Sequence, residues 1–177
     1  MSYVSSKKIE KIATDLLKSN KVLKIPIDLE LLAHRLDLKV DYSDLGDDVS
    51  GLIVMNENGG SIGINENHPL VRQRFSLAHE IGHFILHRED KELFIDKKYT
   101  TVFRDETSSS GEDKYEIQAN AFAAALLMPK VKIKKYVKKE DLDPGDDESL
   151  RILAHKFKVS MQAMAYRISK IYDSDAP

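Results

Sequence analysis

Residues 79–83 read His-Glu-Ile-Gly-His and lie within a stretch whose apolar residues recur at helical spacing. Two histidines four positions apart stand one turn apart on the same helix face, so both imidazoles can reach one metal ion. Glu80 lies beside that face, where it can take a proton from metal-activated water without being a ligand. The motif therefore predicts a helix that carries a metal site, with His79 and His83 as ligands and Glu80 as the catalytic base.

The residues around the motif favour a metal site over a solvated helix. Leu77, Ile81, Phe84 and Ile85 form one apolar stripe, which should face the core. The two histidines lie on the opposite side, so apolar packing does not explain them. The alternative is an exposed or interface helix that happens to carry two histidines. Because the chain has no cysteine, any metal must use nitrogen and oxygen ligands, and this set favours zinc.

A catalytic zinc ion needs a third protein ligand and leaves its fourth position to water. An extended histidine motif would require glycine where Leu86 stands, so the third ligand must lie elsewhere. Glu116 opens a strongly apolar helix 33 residues after His83 (116 − 83). A carboxylate that enters such a core needs a partner, and a metal ion is a suitable one. We predict Glu116 as the third ligand; the alternative is an exposed carboxylate that favours the helix dipole.

Two more polar residues lie near the predicted ligands. Asn120 is one turn after Glu116 on the same side of the helix, where it can hydrogen-bond a ligand histidine and fix its tautomer. His87 is one turn beyond His83 and could be taken for a fourth ligand. A fourth protein ligand would displace the catalytic water, so we interpret His87 as polar decoration near the helix end.

The remaining sequence predicts an α+β fold that is mostly helical, with a small, mainly antiparallel sheet and a C-terminal helical pair. Predicted helices cover residues 6–19, the segment after Asp28, residues 68 to about 87, about 113–128, 148–156 and 161–172. Predicted strands cover residues 38–42, a hairpin of 51–55 and 61–64, and two possible short strands around Phe94 and Val102. We expect a single domain over residues 1–177, with a catalytic core to about residue 128 and a helical segment over about 129–177.

Three segments and the predicted hairpin resemble the ImmA/IrrE family of metallopeptidases, and the likeness extends over about residues 5–172. The segments are Arg74–His83, Glu116–Pro129 and Val159–Arg167. The resemblance implies a zincin-like core with one Zn²⁺ per chain, held by His79, His83 and Glu116, and with Glu80 as the base. It also implies that the protein partner is a helix-turn-helix transcriptional repressor, cleaved in phage, mobile-element or stress-response circuits.

A substrate strand can also be predicted. In zincins, an edge strand beside the active-site helix commonly holds the substrate backbone by strand addition. The second strand of the predicted hairpin is our candidate for this role. Its substrate-binding residues would be Ser61, Ile62, Gly63 and Ile64.

The charge and hydropathy of the chain argue against nucleic-acid and membrane partners. Twenty-seven Lys and Arg against 29 Asp and Glu give a formal charge of −2. A dedicated nucleic-acid binder is usually strongly basic, so direct nucleic-acid binding is not expected. No stretch approaches the ~18 apolar residues of a membrane span, so we expect no membrane partner and a cytoplasmic location.

Two alternatives belong to other functional classes. Residues 148–156 and 161–172 have helix-turn-helix spacing, with Ser160 placed to cap the second helix. On that interpretation the protein is a regulator that binds DNA or a repressor, Arg167 is a candidate DNA contact, and zinc is structural. Packing residues such as Met164 favour docking onto the core instead. A degenerate peptidase that binds its partner without cleaving it is also compatible with the motif.

Overall fold

The helices and strands follow the predicted order, with one further helix over Lys130–Glu140. The computed structural model describes residues 4–56, 59–90, 92–97 and 111–173. Its helices are α1 (Ser6–Ser19), α2 (Leu29–Arg35), α3 (Leu70–His87), α4 (Gly111–Leu127), α5 (Lys130–Glu140), α6 (Asp147–Phe157) and α7 (Met161–Asp173). Its strands are β1 (Leu38–Ser43), β2 (Val49–Asn56), β3 (Gly59–Asn65) and β4 (Leu93–Lys97). The predicted α+β class is confirmed, whereas the strand predicted around Val102 lies outside the described residues.

Side-chain caps explain where two of the predicted helices begin. The Asp28 carboxylate accepts a hydrogen bond from the Leu31 backbone N–H at 3.0 Å, at the start of α2. The Ser160 hydroxyl accepts one from the Ala163 N–H at 3.1 Å, at the start of α7. Each cap satisfies one of the backbone donors that a first helical turn leaves without a partner inside the helix.

The four strands form one sheet in the order β1-β3-β2-β4. β1 pairs with β3 in parallel, and the other two pairings are antiparallel. The sheet buries Ile53, Ile62 and Ile64 on its inner side, and α3 contacts both β2 and β3. Val54 and Ile95 remain exposed on the opposite side. The sheet therefore supports the motif helix with one face only.

The predicted substrate strand is not at a sheet edge. Residues Ser61, Ile62, Gly63 and Ile64 belong to β3, which pairs with β1 on one side and with β2 on the other. Their backbone groups face those neighbouring strands, so β3 cannot take up another strand, and the prediction is wrong. β4 has one pairing partner within the described ranges and lies at the sheet edge.

The last three helices pack onto the same hydrophobic core as the motif helix. Ile133 of α5, Phe157 of α6 and Met164 of α7 are buried members of that core. The Arg167 guanidinium of α7 bonds the Met128 carbonyl oxygen, so the residue proposed as a DNA contact is turned toward the core. In the ranges given above, no helix has the length and hydropathy needed to cross a bilayer.

We predict that Arg167→Met destabilises the protein by about 1–3 kcal/mol. Arg167 places one nitrogen 2.7 Å from each carboxylate oxygen of Glu10 on α1, so its loss leaves a part-buried carboxylate without this cation. Urea unfolding measures the change. Arg151→Met is the matched control, because the Arg151–Glu148 ion pair is exposed and should contribute less than ~1 kcal/mol. Equal losses in both variants would contradict the structural role of Arg167.

Candidate metal centre

Three side chains from two helices converge on one point. His79 and His83 of α3 are each 1% exposed, and their Nε2 atoms are 2.9 Å apart. Glu116 of α4 places Oε2 at 3.1 Å from His79 Nε2 and Oε1 at 3.3 Å from His83 Nε2. Ligands about 2.05 Å from a tetrahedral zinc ion are about 3.3 Å from one another. The three predicted ligands are thus brought together at a spacing that fits this ion.

A close helix crossing brings Glu116 to the histidines. Gly82 lies between the two histidines on α3 and faces α4. A Cβ atom at Gly82 would lie 3.2 Å from both the Ala119 carbonyl oxygen and Phe122 Cδ1, which is tighter than most real contacts. A glycine inside a helix is unfavourable by about 1 kcal/mol relative to alanine, and close backbone approach accounts for its use here.

Glu80 lies fully buried beside the histidine pair. Among the described residues, neither of its carboxyl oxygens has a hydrogen-bond partner. Burial raises the pKa of Glu80 well above its usual range, and the charge of His79 offsets this only in part. A buried carboxyl group without a partner is unfavourable, so the position suits a group that exchanges a proton with a small molecule in the site.

The carboxylates around the histidines change their proton affinities. Burial lowers the pKa of His79, but its hydrogen bond to Glu116 and the charges of Glu80 and Asp96 outweigh that effect and raise the pKa to about 9. Burial dominates at His83 and lowers its pKa to about 4. Burial opposes ionisation of Glu116, yet the hydrogen bond from His79 and the close approach of His83 hold its pKa well below the usual range. A site that favours positive charge on His79 is also suited to a metal cation.

Asn120 lies where the sequence placed it. Its side-chain oxygen is 2.9 Å from His79 Nδ1, the ring nitrogen that faces away from Glu116. Since an amide oxygen can only accept, Nδ1 carries a proton, and Nε2 is the nitrogen that can bind a cation in place of its own proton. The Glu116 side chain keeps 39% of its surface exposed, so the site is open to solvent on the α4 side.

The interpretation of His87 as polar decoration near the helix end is wrong. His87 is 1% exposed, and its ring packs edge-on against Tyr115 with centroids 4.7 Å apart. Its Nδ1 is 3.2 Å from His83 Nδ1. Whether the end of a helix is buried depends on what the tertiary fold places over it, and here Tyr115 and Phe94 lie over it.

Sequence reasoning missed two residues that face Glu80 from the sheet. Gly51 of β2 lies so close that a Cβ atom there would be 2.9 Å from Glu80 Oε1. Its cross-strand neighbour Asp96 of β4 is buried, and a carboxylate oxygen of Asp96 lies within 4.8 Å of donor atoms of Glu80 and His79. The strand predicted around Phe94 offered a signal for Asp96, since alternate strand residues share a face. No sequence pattern indicated that Gly51 would lie in the site.

β4 forms a wall of the site. Phe94 stacks on the His83 ring with centroids 4.1 Å apart, and both Phe94 and Asp96 are buried. Leu93 and Ile95 alternate with them and are exposed. The edge strand of the sheet therefore lies directly beside the histidine pair.

A comparison with protein families matches residues 33–169 to Peptidase_M78, the IrrE N-terminal-like domain. The chain belongs to the ImmA/IrrE (Peptidase_M78) family. Membership of this family implies a peptidase role at the level of the family and an association with zinc. In the described structure, the His79, His83 and Glu116 group could hold such an ion.

This ImmA/IrrE chain is similar in sequence to one phage protein and in fold to one solved structure. It is 30% identical over 105 residues to a Bacillus phage phi105 protein named "Uncharacterized immunity region protein 2", covering 59% of this chain and 61% of the phage protein. It also shares the fold of a Mycobacterium tuberculosis transcriptional regulator, with a TM-score of 0.63 and 18% identity over 94% of this chain and 47% of that one. The chain thus spans about three fifths of the phage protein and about half of the regulator.

Gly51→Ala is predicted to lower peptidase activity at least tenfold while the fold and zinc binding persist. The added methyl group would displace the Glu80 carboxylate, because 2.9 Å is too close for a carbon and an oxygen that are not bonded. Cleavage rate, zinc content and thermal stability are measured together. Gly63→Ala is the control, since its Cβ would meet ordinary contacts of 3.4 Å and more. Wild-type activity of Gly51→Ala would show that Glu80 does not need its present position.

Proposed function

We propose that this protein is a zinc-dependent endopeptidase that cleaves a helix-turn-helix transcriptional repressor and so relieves repression. The proposed peptidase activity rests on the convergence of two buried histidines and Glu116, with the buried Glu80 carboxyl group beside them. Family membership supports the same chemistry. The likeness to a protein named for a phage immunity region supports a relation to repressors, and so a repressor as the substrate.

In this proposal His79, His83 and Glu116 hold the ion, and Glu80 moves the proton. When bound, zinc supplies a Lewis acid that polarises the scissile carbonyl and lowers the pKa of a water molecule toward neutrality. Glu80 would accept a proton from the attacking water molecule and deliver a proton to the leaving amine nitrogen. The C–N bond breaks, and the products are a carboxylate and an amine.

The environment of Glu80 suits this role. A general base works best when its pKa lies near the working pH, and burial raises the pKa of Glu80 from a value that would otherwise be too low. Gly51 leaves room for its carboxyl group, and the helix holds the group next to the histidines. The absence of a hydrogen-bond partner for Glu80 in the described structure leaves both oxygens available for the reacting groups.

We propose that the substrate binds along β4 instead of β3. β4 lies at the sheet edge in the described residues and runs beside His83, with Phe94 stacked on that ring. An extended peptide that pairs with an edge strand acquires a fixed backbone register, which sets one peptide bond against the catalytic groups. Since repressors act in the cytoplasm, the proposed substrate also locates the reaction there.

Glu80→Gln is expected to abolish cleavage while zinc binding is retained. Glutamine keeps the size of the side chain but cannot accept the proton, and Glu80 is not one of the three converging ligands. The test co-incubates wild-type or variant protein with helix-turn-helix repressors encoded near its own gene and follows fragments by mass spectrometry. Substantial cleavage by Glu80→Gln would remove Glu80 from the role of base, and an intact repressor with active wild-type peptidase would exclude that substrate.

The same inactive variant locates the substrate strand. Hydrogen exchange of the β4 amides in Glu80→Gln should slow when the repressor binds, because a paired edge strand protects its backbone N–H groups. β1, which lies at the opposite edge of the sheet, is the internal control. Protection of β1 with unchanged exchange in β4 would refute the proposed binding strand.

A further inference from the structure

A chain of polar side chains continues from the metal centre into the protein interior. His83 Nδ1 lies 3.2 Å from His87 Nδ1, and His87 Nε2 lies 3.3 Å from the side-chain oxygen of Gln118. The three residues come from α3 and α4, and all are buried. None of them reaches bulk water easily, so each hydrogen bond must be made within the chain.

The chemistry of the three groups allows one consistent set of protons. The side-chain oxygen of Gln118 can only accept, so His87 Nε2 must donate. A neutral imidazole that carries its proton on Nε2 accepts at Nδ1, so the His83 Nδ1–H donates to His87. His83 Nε2 is then without a proton and points toward Glu116 and His79. The proton positions that complete these buried hydrogen bonds therefore also leave His83 Nε2 able to bind a cation.

Aromatic packing holds His87 where it can accept this bond. Tyr115 meets its ring edge-on with centroids 4.7 Å apart, and the Phe94 ring lies 5.8 Å away. Phe94 also stacks on His83, so one aromatic ring packs against both imidazoles. Because the imidazoles of His83 and His87 are buried, a side chain without an acceptor at this place would leave the His83 Nδ1–H buried and unsatisfied.

We propose that His87 is a positioning residue for the metal centre. It accepts a hydrogen bond from the His83 Nδ1–H and so orients the His83 ring. Gln118 fixes the tautomer of His87 by accepting a hydrogen bond from its Nε2–H. This inference rests on the proposed ligand role of His83. Asn120 performs the equivalent task for His79, so both ligand histidines have their outer nitrogen occupied by a neutral acceptor. His87 itself does not bind the ion, because its Nδ1 faces His83 and its Nε2 faces Gln118.

The test measures zinc affinity by chelator competition in the full-length protein. His87→Leu removes the acceptor but keeps an apolar side chain beside Tyr115 and Phe94, and zinc binding should weaken about 10–100-fold. His87→Asn places an amide oxygen near the position of Nδ1 and should recover most of the affinity. Phe84→Leu is the matched control, since Phe84 is a buried apolar residue of the same helix and its truncation should lower the melting temperature without changing zinc affinity.

Histidine tautomers in the zinc-loaded wild-type protein provide a second, independent readout. Nitrogen NMR of ¹⁵N-histidine-labelled protein should show a proton on His87 Nε2, none on His87 Nδ1, and scalar coupling between the two Nδ1 atoms across the hydrogen bond. A proton on His87 Nδ1, or wild-type zinc affinity in His87→Leu, would overturn the inference and leave the ligand set intact. Failure of the wild-type protein to bind zinc would instead overturn the ligand role of His83.

Discussion

The close crossing of α3 and α4 at Gly82 is the contact on which the site depends. The motif helix can present two histidines by itself, but the third donor comes from another helix. Glu116 reaches them because α3 has no side chain where it meets the Ala119 backbone. A methyl group there would press on a carbonyl oxygen that belongs to helix backbone and cannot rotate away. The sheet contacts α3 and α1 contacts α4, and these contacts help to keep the two helices in place.

Electrostatic balance explains why so many polar groups can share this interior. The histidines His79, His83 and His87 and the carboxyl groups of Glu80 and Asp96 are buried, and the part-exposed Glu116 carboxylate lies against two of these histidines. Buried charges of one sign repel each other strongly, whereas alternating signs stabilise one another. The raised pKa of His79 reports an excess of negative charge around it. A divalent cation at the point where the three donors converge would compensate that excess, and this agrees with the family's association with zinc.

Residue positions within single helices could be predicted from the sequence, because they depend on local periodicity. The order of the strands and the packing between distant elements could not. Helical spacing placed His79, Glu80 and His83 on α3, and the apolar run of α4 placed Glu116 and Asn120 one turn apart, with Asn120 now seen beside His79. The strand prediction identified β3 correctly but took it for an edge, because strand order cannot be read from hydropathy along one chain. His87 was misinterpreted for a related reason: its cover comes from β4 and α4, which lie elsewhere in the sequence.

The zinc content of the purified protein and of Glu116→Ala, measured by plasma mass spectrometry, tests the central claim most directly. Lys114→Ala, an exposed change on the same helix, serves as the control. The proposed ligand set predicts about one zinc ion per chain in the wild-type and control proteins and clear loss in Glu116→Ala. A wild-type protein that holds no zinc even after the metal is added, or a Glu116→Ala variant that retains it fully, would contradict the account.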